Sequence, residues 1–142
     1  MRNKLFLILI VLSFLGFADA TYLAIADYKH IVPPCTVIQG CERVLTSNFA
    51  TIYGIPLAAF GSIYFLISVV LNVLALQRFS NIWMRRIFIL FNTSGLIAAI
   101  ILLYLQFVVI KAFCQYCLLV ELILFLLFFF SIFGVKKTNK IQ

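Results

Sequence analysis

Residues 113–133 read FCQYCLLVELILFLLFFFSIF. Two cysteines three positions apart open this stretch, and an apolar run with one carboxylate, Glu121, completes it. A bilayer core about 30 Å thick is crossed by about 20 consecutive apolar residues in a helix. Only a helix satisfies its whole backbone within one lipid-embedded segment, so the run predicts a transmembrane helix. Three more such runs lie upstream, at about 5–26, 55–76 and 87–110. The 142 residues are 65% hydrophobic and 11% charged, with a mean hydropathy of +1.20. A soluble domain carries about 25% charged residues, so the chain is not one. Together these features predict an all-α membrane protein: one domain over residues 1–142, built as a four-transmembrane-helix bundle. Its long loop, about 27–54, folds back with a short interfacial helix capping the bundle.

The net charge of +7 does not mark a nucleic-acid binder, because the basic residues sit at run ends rather than on one face. One side of the membrane receives Arg2 and Lys4, then Arg78, Arg85 and Arg86, then Lys136, Lys137 and Lys140; the other receives Lys29, Arg43 and Lys111. By the positive-inside rule both termini are cytoplasmic in a multi-pass topology. All four cysteines then face the far side, where disulfides persist. The first run also fits a secretory signal peptide: Arg2 and Lys4, an apolar stretch to Phe17, then Ala18-Asp19-Ala20 as a cleavage site. Hydrophobicity resumes at Tyr22-Leu23-Ala24-Ile25-Ala26, so the expectation is a retained first span.

The loop carries Cys35 and Cys41, close enough in sequence for a local disulfide if the loop turns back. Pro33-Pro34 keeps the chain extended before Cys35, and Gly40 permits a bend before Cys41. Ser47-Asn48 is expected to cap a short amphipathic helix over Phe49–Tyr53, ended by Gly54, with Pro56 in the first turn of the second span. Cys114 and Cys117, at i and i+3 on a first helical turn, share a face and suit a reversible disulfide. A helix N-terminus and the nearby Lys111 both favour the thiolate, the form active in thiol–disulfide exchange. A zinc site fits less well, since zinc favours tighter paired spacings and reducing compartments, and no metal is expected. The one histidine, His30, reads as a surface residue.

The segment Cys41-Glu42-Arg43-Val44-Leu45-Thr46-Ser47, followed by Gly54-Ile55-Pro56-Leu57-Ala58 and Cys114-Gln115-Tyr116-Cys117, resembles the bacterial homologues of vitamin K epoxide reductase. The resemblance extends to Tyr22-Leu23 and Tyr28-Lys29-His30 and so covers nearly the whole chain. It implies a four-helix bundle in the bacterial inner membrane, holding a quinone of the ubiquinone or menaquinone type. It further implies that Cys117 faces the quinone, that Cys114 exchanges with Cys41, and that Cys35 meets the partner or completes the loop disulfide. Ser47 matches the family's serine near the bundle mouth. Many bacterial members carry a thioredoxin-like domain after the fourth helix. This chain ends at Gln142, so the implied redox partner is a separate thioredoxin-fold protein outside the cytoplasm. The position four after the second motif cysteine, a tyrosine in vertebrate members, is Glu121. The resemblance therefore transfers neither the quinone contacts at that position nor epoxide reduction.

The reading is a quinone-dependent thiol oxidoreductase that supports disulfide formation, with Cys35, Cys41, Cys114 and Cys117 catalytic and Cys117, Ser47 and Glu121 against the quinone. A non-catalytic membrane scaffold or transporter subunit with structural disulfides is the alternative from another class. The other four-helix quinone-coupled family carries its Cys-x-x-Cys in the first outward loop, whereas here it is in the second. Glu121 either serves the site, as intramembrane carboxylates tend to, or snorkels or pairs with Lys111. Asn72, Asn92, Ser94 and Gln106 are expected to hydrogen-bond between helices. The topology has a direct test. After reduction and unfolding, all four cysteines should react with membrane-impermeant thiol reagents added from outside, and labelling of either pair only from the cytoplasm would overturn it.

Overall fold

The computed structural model describes residues 2–78 and 80–141; Met1, Phe79 and Gln142 lie outside the described residues. Among the described residues, four helices are long and apolar enough to cross a membrane. The first, α1, runs unbroken over Arg2–Tyr28. A five-residue helix, α2 (Cys41–Leu45), and a small hairpin of β1 (Thr51–Ile52) and β2 (Ile55–Pro56) follow in the connecting loop. The other long helices are α3 (Leu57–Arg78), α4 (Ile82–Tyr104), extended by a π-helical turn at Leu105–Ile110, and α5 (Gln115–Ile141).

Each end of these helices has a local cause. His30, at φ 53, closes α1: its N–H reaches Asp27 O, and the Ile31 N–H reaches Ala26 O, the paired bonds of a left-handed C-cap. Asn81 caps α4 by accepting the Trp83 N–H through its side chain. The π-helical turn ends at Lys111, also left-handed at φ 55. Two expectations are corrected here. The loop's short helix lies at Cys41–Leu45 and not over Phe49–Tyr53. Ser47 bonds backward to the Val44 carbonyl instead of capping forward. Tyr53 and Gly54, at φ 51 and φ 78, form the two-residue turn that pairs Ile52 with Ile55, and both positive φ values suit a primed hairpin turn.

The main packing interfaces are α1 against α3, α4 against α5, and α1 against α5. Phe6, Leu9, Phe65, Phe88, Ile123 and Leu127 form their buried centre. The Phe6 and Phe88 rings meet edge to face, 6.1 Å apart. Outward positions such as Phe14, Leu90 and Phe129 are exposed, as a lipid-facing surface requires. Lipid is as apolar as leucine, so polar contacts between helices carry much of the specificity. Between α1 and α3, the Ser13 and Ser68 hydroxyls share a hydrogen bond of 2.9 Å, and Asn72 Nδ2 donates to Ser13 Oγ at 3.1 Å. Thr21 and Ser62 repeat the motif nearer the loop. Asn92 and Ser94, expected to bridge helices, bond the Phe88 and Phe91 carbonyls of their own helix.

The α1–α3 contact also depends on Gly16, where an added Cβ would overlap the Phe65 ring. Gly16→Ala is therefore expected to destabilise the bundle by about 1–3 kcal/mol through overpacking. Gly61→Ala, whose new methyl would meet Ala20 Cβ at an ordinary 3.6 Å, should be tolerated by comparison. Thermal unfolding of the two variants in detergent micelles checks the contrast.

Candidate functional site

The loop is fastened over the start of α5 by contacts on both sides of Cys35. The Tyr116 hydroxyl donates to the Pro34 carbonyl at 3.0 Å, and the Val37 N–H donates to Gln115 Oε1 at 3.0 Å. The Tyr22 ring of α1 lies 5.7 Å from the Tyr116 ring and fixes it from the other side. Gly40 sits so close to the segment before Cys114 that a Cβ there would stand 2.7 Å from the Phe113 carbonyl oxygen. This approach carries α2 onto the inner cysteines. Cys35 and Cys41 form a disulfide, with Cα atoms 6.1 Å apart. Cys35 is half-buried, whereas Cys41 is 1% exposed and belongs to one buried cluster with Cys114, Val44 and Ala112. The loop pair thus has one sulfur toward the surface and one toward the inner pair.

Both inner cysteines belong to the first turn of α5, with Cys114 at the N-cap position just before the helix begins. Cys114 precedes α5: its carbonyl accepts the Leu118 N–H at 2.9 Å, and its sulfur accepts the Cys117 N–H at 3.5 Å. The sulfur therefore occupies the place of an N-cap side-chain acceptor, over the exposed N–H groups of the helix end. The Cys114 thiol lies below its ordinary range, chiefly through the hydrogen bond from the Cys117 thiol, assisted by the Cys117 and Tyr116 N–H groups. Burial and the Asp19 charge oppose this shift without reversing it. Cys114 and Cys117 are free thiols, the first fully buried and the second partly accessible.

Gln106 organises this corner. It lies in the π-helical turn, an element frequent at functional sites, and is only 3% exposed. Its carbonyl receives the Lys111 and Ala112 N–H groups, which closes the turn. Its side-chain Oε1 accepts the Cys114 N–H at 3.1 Å, while Nε2 donates to Glu121 Oε1. Glu121 thus pairs with Gln106 and not with Lys111. Its second oxygen, Oε2, is buried without a partner. Gln106 was legible only as an interhelical polar group. Its position as a lone amide in an apolar run, eight residues before Cys114, is the signal that marks it.

Cys117, Glu121 and Gln106 line a pocket of about 830 Å³ between the helices and the loop, with Ser47, Leu23 and Leu102 in its walls. The expected quinone-side residues Cys117, Ser47 and Glu121 are thereby brought to one cavity. A more polar cleft of about 1000 Å³ adjoins it, sharing Asp27 and Ser47 and reaching His30 and Pro33. Among the described residues, no group of three or more His, Cys, Asp or Glu side chains could hold a metal. The chemistry available is thiol exchange beside a mostly apolar pocket.

The model for the vitamin K epoxide reductase family matches residues 7–132. A search among curated proteins finds no match to the chain.

The contact at Gly40 can be tested without assuming any reaction. In a Cys35→Ser/Cys117→Ser background, Cys41 and Cys114 are the only thiols left and should form a disulfide under mild oxidation. Adding Gly40→Ala should slow that cross-link several-fold, because the new methyl meets rigid backbone and lifts α2 away. An unchanged rate, followed by gel shift after thiol blocking, would show that Gly40 does not set the approach.

Proposed function

The chain belongs to the vitamin K epoxide reductase family, and on that premise we propose that this membrane thiol oxidoreductase carries electrons from an extracytoplasmic thioredoxin-fold protein to a membrane quinone, with disulfide formation as the outcome. The observation that carries the proposal is the burial of Cys41 against Cys114 while Cys117 opens on the pocket. The two sulfur pairs are thus arranged in series from the surface to the pocket.

The partner's dithiol first reduces the Cys35–Cys41 disulfide, entering at the more accessible Cys35. The Cys41 thiolate attacks the Cys114 sulfur of an oxidised inner pair, breaking the Cys114–Cys117 bond and releasing the Cys117 thiolate. Cys35 then attacks Cys41, re-forming the loop disulfide and freeing the Cys114 thiolate. Two electrons have moved inward and no sulfur bond is lost. The lowered thiol of Cys114 suits it as the leaving group of that last step, since a less basic thiolate departs faster.

The pocket residues fit a quinone. Its walls are mostly aliphatic, as a flat apolar ring requires, and the unpartnered Glu121 Oε2 and the Ser47 hydroxyl are polar groups able to meet ring oxygens. A quinone bound there supplies an acceptor for two electrons and two protons. Cys117 is the sulfur in the wall and Glu121 the nearby carboxyl. Both termini lie in the cytoplasm, residues 1–142 act as one domain, and the setting is the bacterial inner membrane.

Purified protein, a reduced thioredoxin-fold protein and a soluble quinone give the test, read as quinone absorbance. Cys117→Ser should abolish quinone reduction and leave Cys114 trapped in a disulfide with Cys41. Cys35→Ser should block turnover with the protein partner, while a small dithiol still reduces the Cys114–Cys117 disulfide directly. Identical behaviour of the two variants with the small dithiol would refute the relay order.

A further inference from the structure

Within the quinone-reducing reading above, on which this inference rests, we infer that Gln106 is a positioning residue that keeps the proton of Glu121 on Oε2, the oxygen left for a ligand. The Cys114 N–H is a buried donor that only an acceptor can satisfy. Gln106 Oε1 meets it, so the other end of the amide is an NH2 group, which can only donate. Glu121 Oε1 faces that NH2 and must accept from it. A proton on Oε1 would leave the amide only a hydroxyl oxygen, a weaker acceptor than the carbonyl form. When the carboxyl is protonated, Oε2 is therefore the favoured seat of the proton, and among the described residues it has no hydrogen-bond partner.

The amide cannot turn over to relax this arrangement. A flipped Gln106 would direct its NH2 at the Cys114 N–H, donor against donor, at a buried site. The backbone carbonyl of Gln106 is also committed, closing the π-helical turn with Lys111 and Ala112. One residue thereby fixes both the segment carrying the exchanging sulfur and the orientation of the carboxyl. Glu121 stands one turn beyond Cys117 on the same face of α5. Oxidation of the Cys114 and Cys117 thiols to a disulfide releases two electrons and two protons, which a quinone held in the pocket would accept. Glu121 gives up its Oε2 proton at the pocket wall and regains one from the Cys117 thiol, so it ends as it began.

The test uses the full chain in lipid nanodiscs with glutamate labelled with carbon-13 at the side-chain carboxyl. In the unmodified chain only Glu42 and Glu121 carry that label, and Glu42 is exposed. The carboxyl added by Gln106→Glu carries it too, and its band is identified in the Gln106→Glu/Glu121→Gln protein. The infrared band of a protonated Glu121 is identified by its loss in Glu121→Gln. Gln106→Met removes both side-chain bonds, while Gln106→Glu keeps the volume and an acceptor for the Cys114 N–H but presents oxygen to Glu121. Both variants should shift the Glu121 band. Each should slow quinone reduction about tenfold or more when Glu121 is present, part of a general-acid contribution that typically reaches about a hundredfold or more, and add little in the Glu121→Gln background. A band that stays in place, or an equal loss in both backgrounds, would overturn the assignment. Should Gln106→Met fail to fold, Gln106→Glu decides alone. The infrared measurement needs no quinone. An unmodified protein that exchanges disulfides but never reduces quinone would therefore overturn the reading above, whereas an unmoved band overturns the role of Gln106 alone.

Discussion

The side-chain amide of Gln106 is the contact on which the rest of this site depends. A buried donor or acceptor left unmet costs about 1–3 kcal/mol. Gln106 satisfies the Cys114 N–H and the Glu121 carboxyl together, joining the end of the third span to the start of the fourth. The turn from which it projects is π-helical, with one residue more per hydrogen-bonded ring than an α-helix. That widening, closed by left-handed Lys111, lets the chain reverse within four residues before Gln115 begins the next helix.

Around this clamp, the loop is attached by a few specific contacts rather than by area. Tyr116, Gln115 and the close approach of Gly40 to Phe113 each join the loop to the first turn of α5 or the residues just before it. Thiol–disulfide exchange needs the attacking sulfur in line with the bond it breaks. A loop tethered at several points pays less ordering entropy at each encounter than a free one. The seating of Cys41 beside Cys114, with Cys35 left nearer the surface, follows from these tethers. The bundle below supplies rigidity through close helix contacts at Gly16 and the Ser13–Ser68–Asn72 hydrogen bonds.

Glu121 illustrates how an intramembrane carboxyl is accommodated. One oxygen is neutralised in hydrogen-bonding terms by an amide donor, and the other borders a cavity. A polar group in such a setting is costly unless it serves something that enters. Asn72 and Asn92 also keep one unpartnered oxygen each, yet both sit in helix interfaces remote from the sulfur pairs in sequence and outside the pocket wall. The difference is location, which separates a structural polar group from a functional candidate.

The amino-acid sequence by itself determined the class of fold, because apolar length is a local property that lipid reads directly: four runs long enough to span became α1, α3, α4 with its π-helical extension, and α5. It also made the four cysteines stand out, since their spacing is visible without coordinates. It misplaced the loop's short helix, because Ser47 had two possible partners and only the packed loop chose the backward bond to Val44. It left open that Cys114 caps α5, because periodicity cannot detect that a sulfur has taken over the cap. Above all, no local pattern joins Gln106 to Cys114 and Glu121. Those residues are eight and fifteen positions away from it, and a hydrogen bond across a chain reversal exists only once the helices have packed.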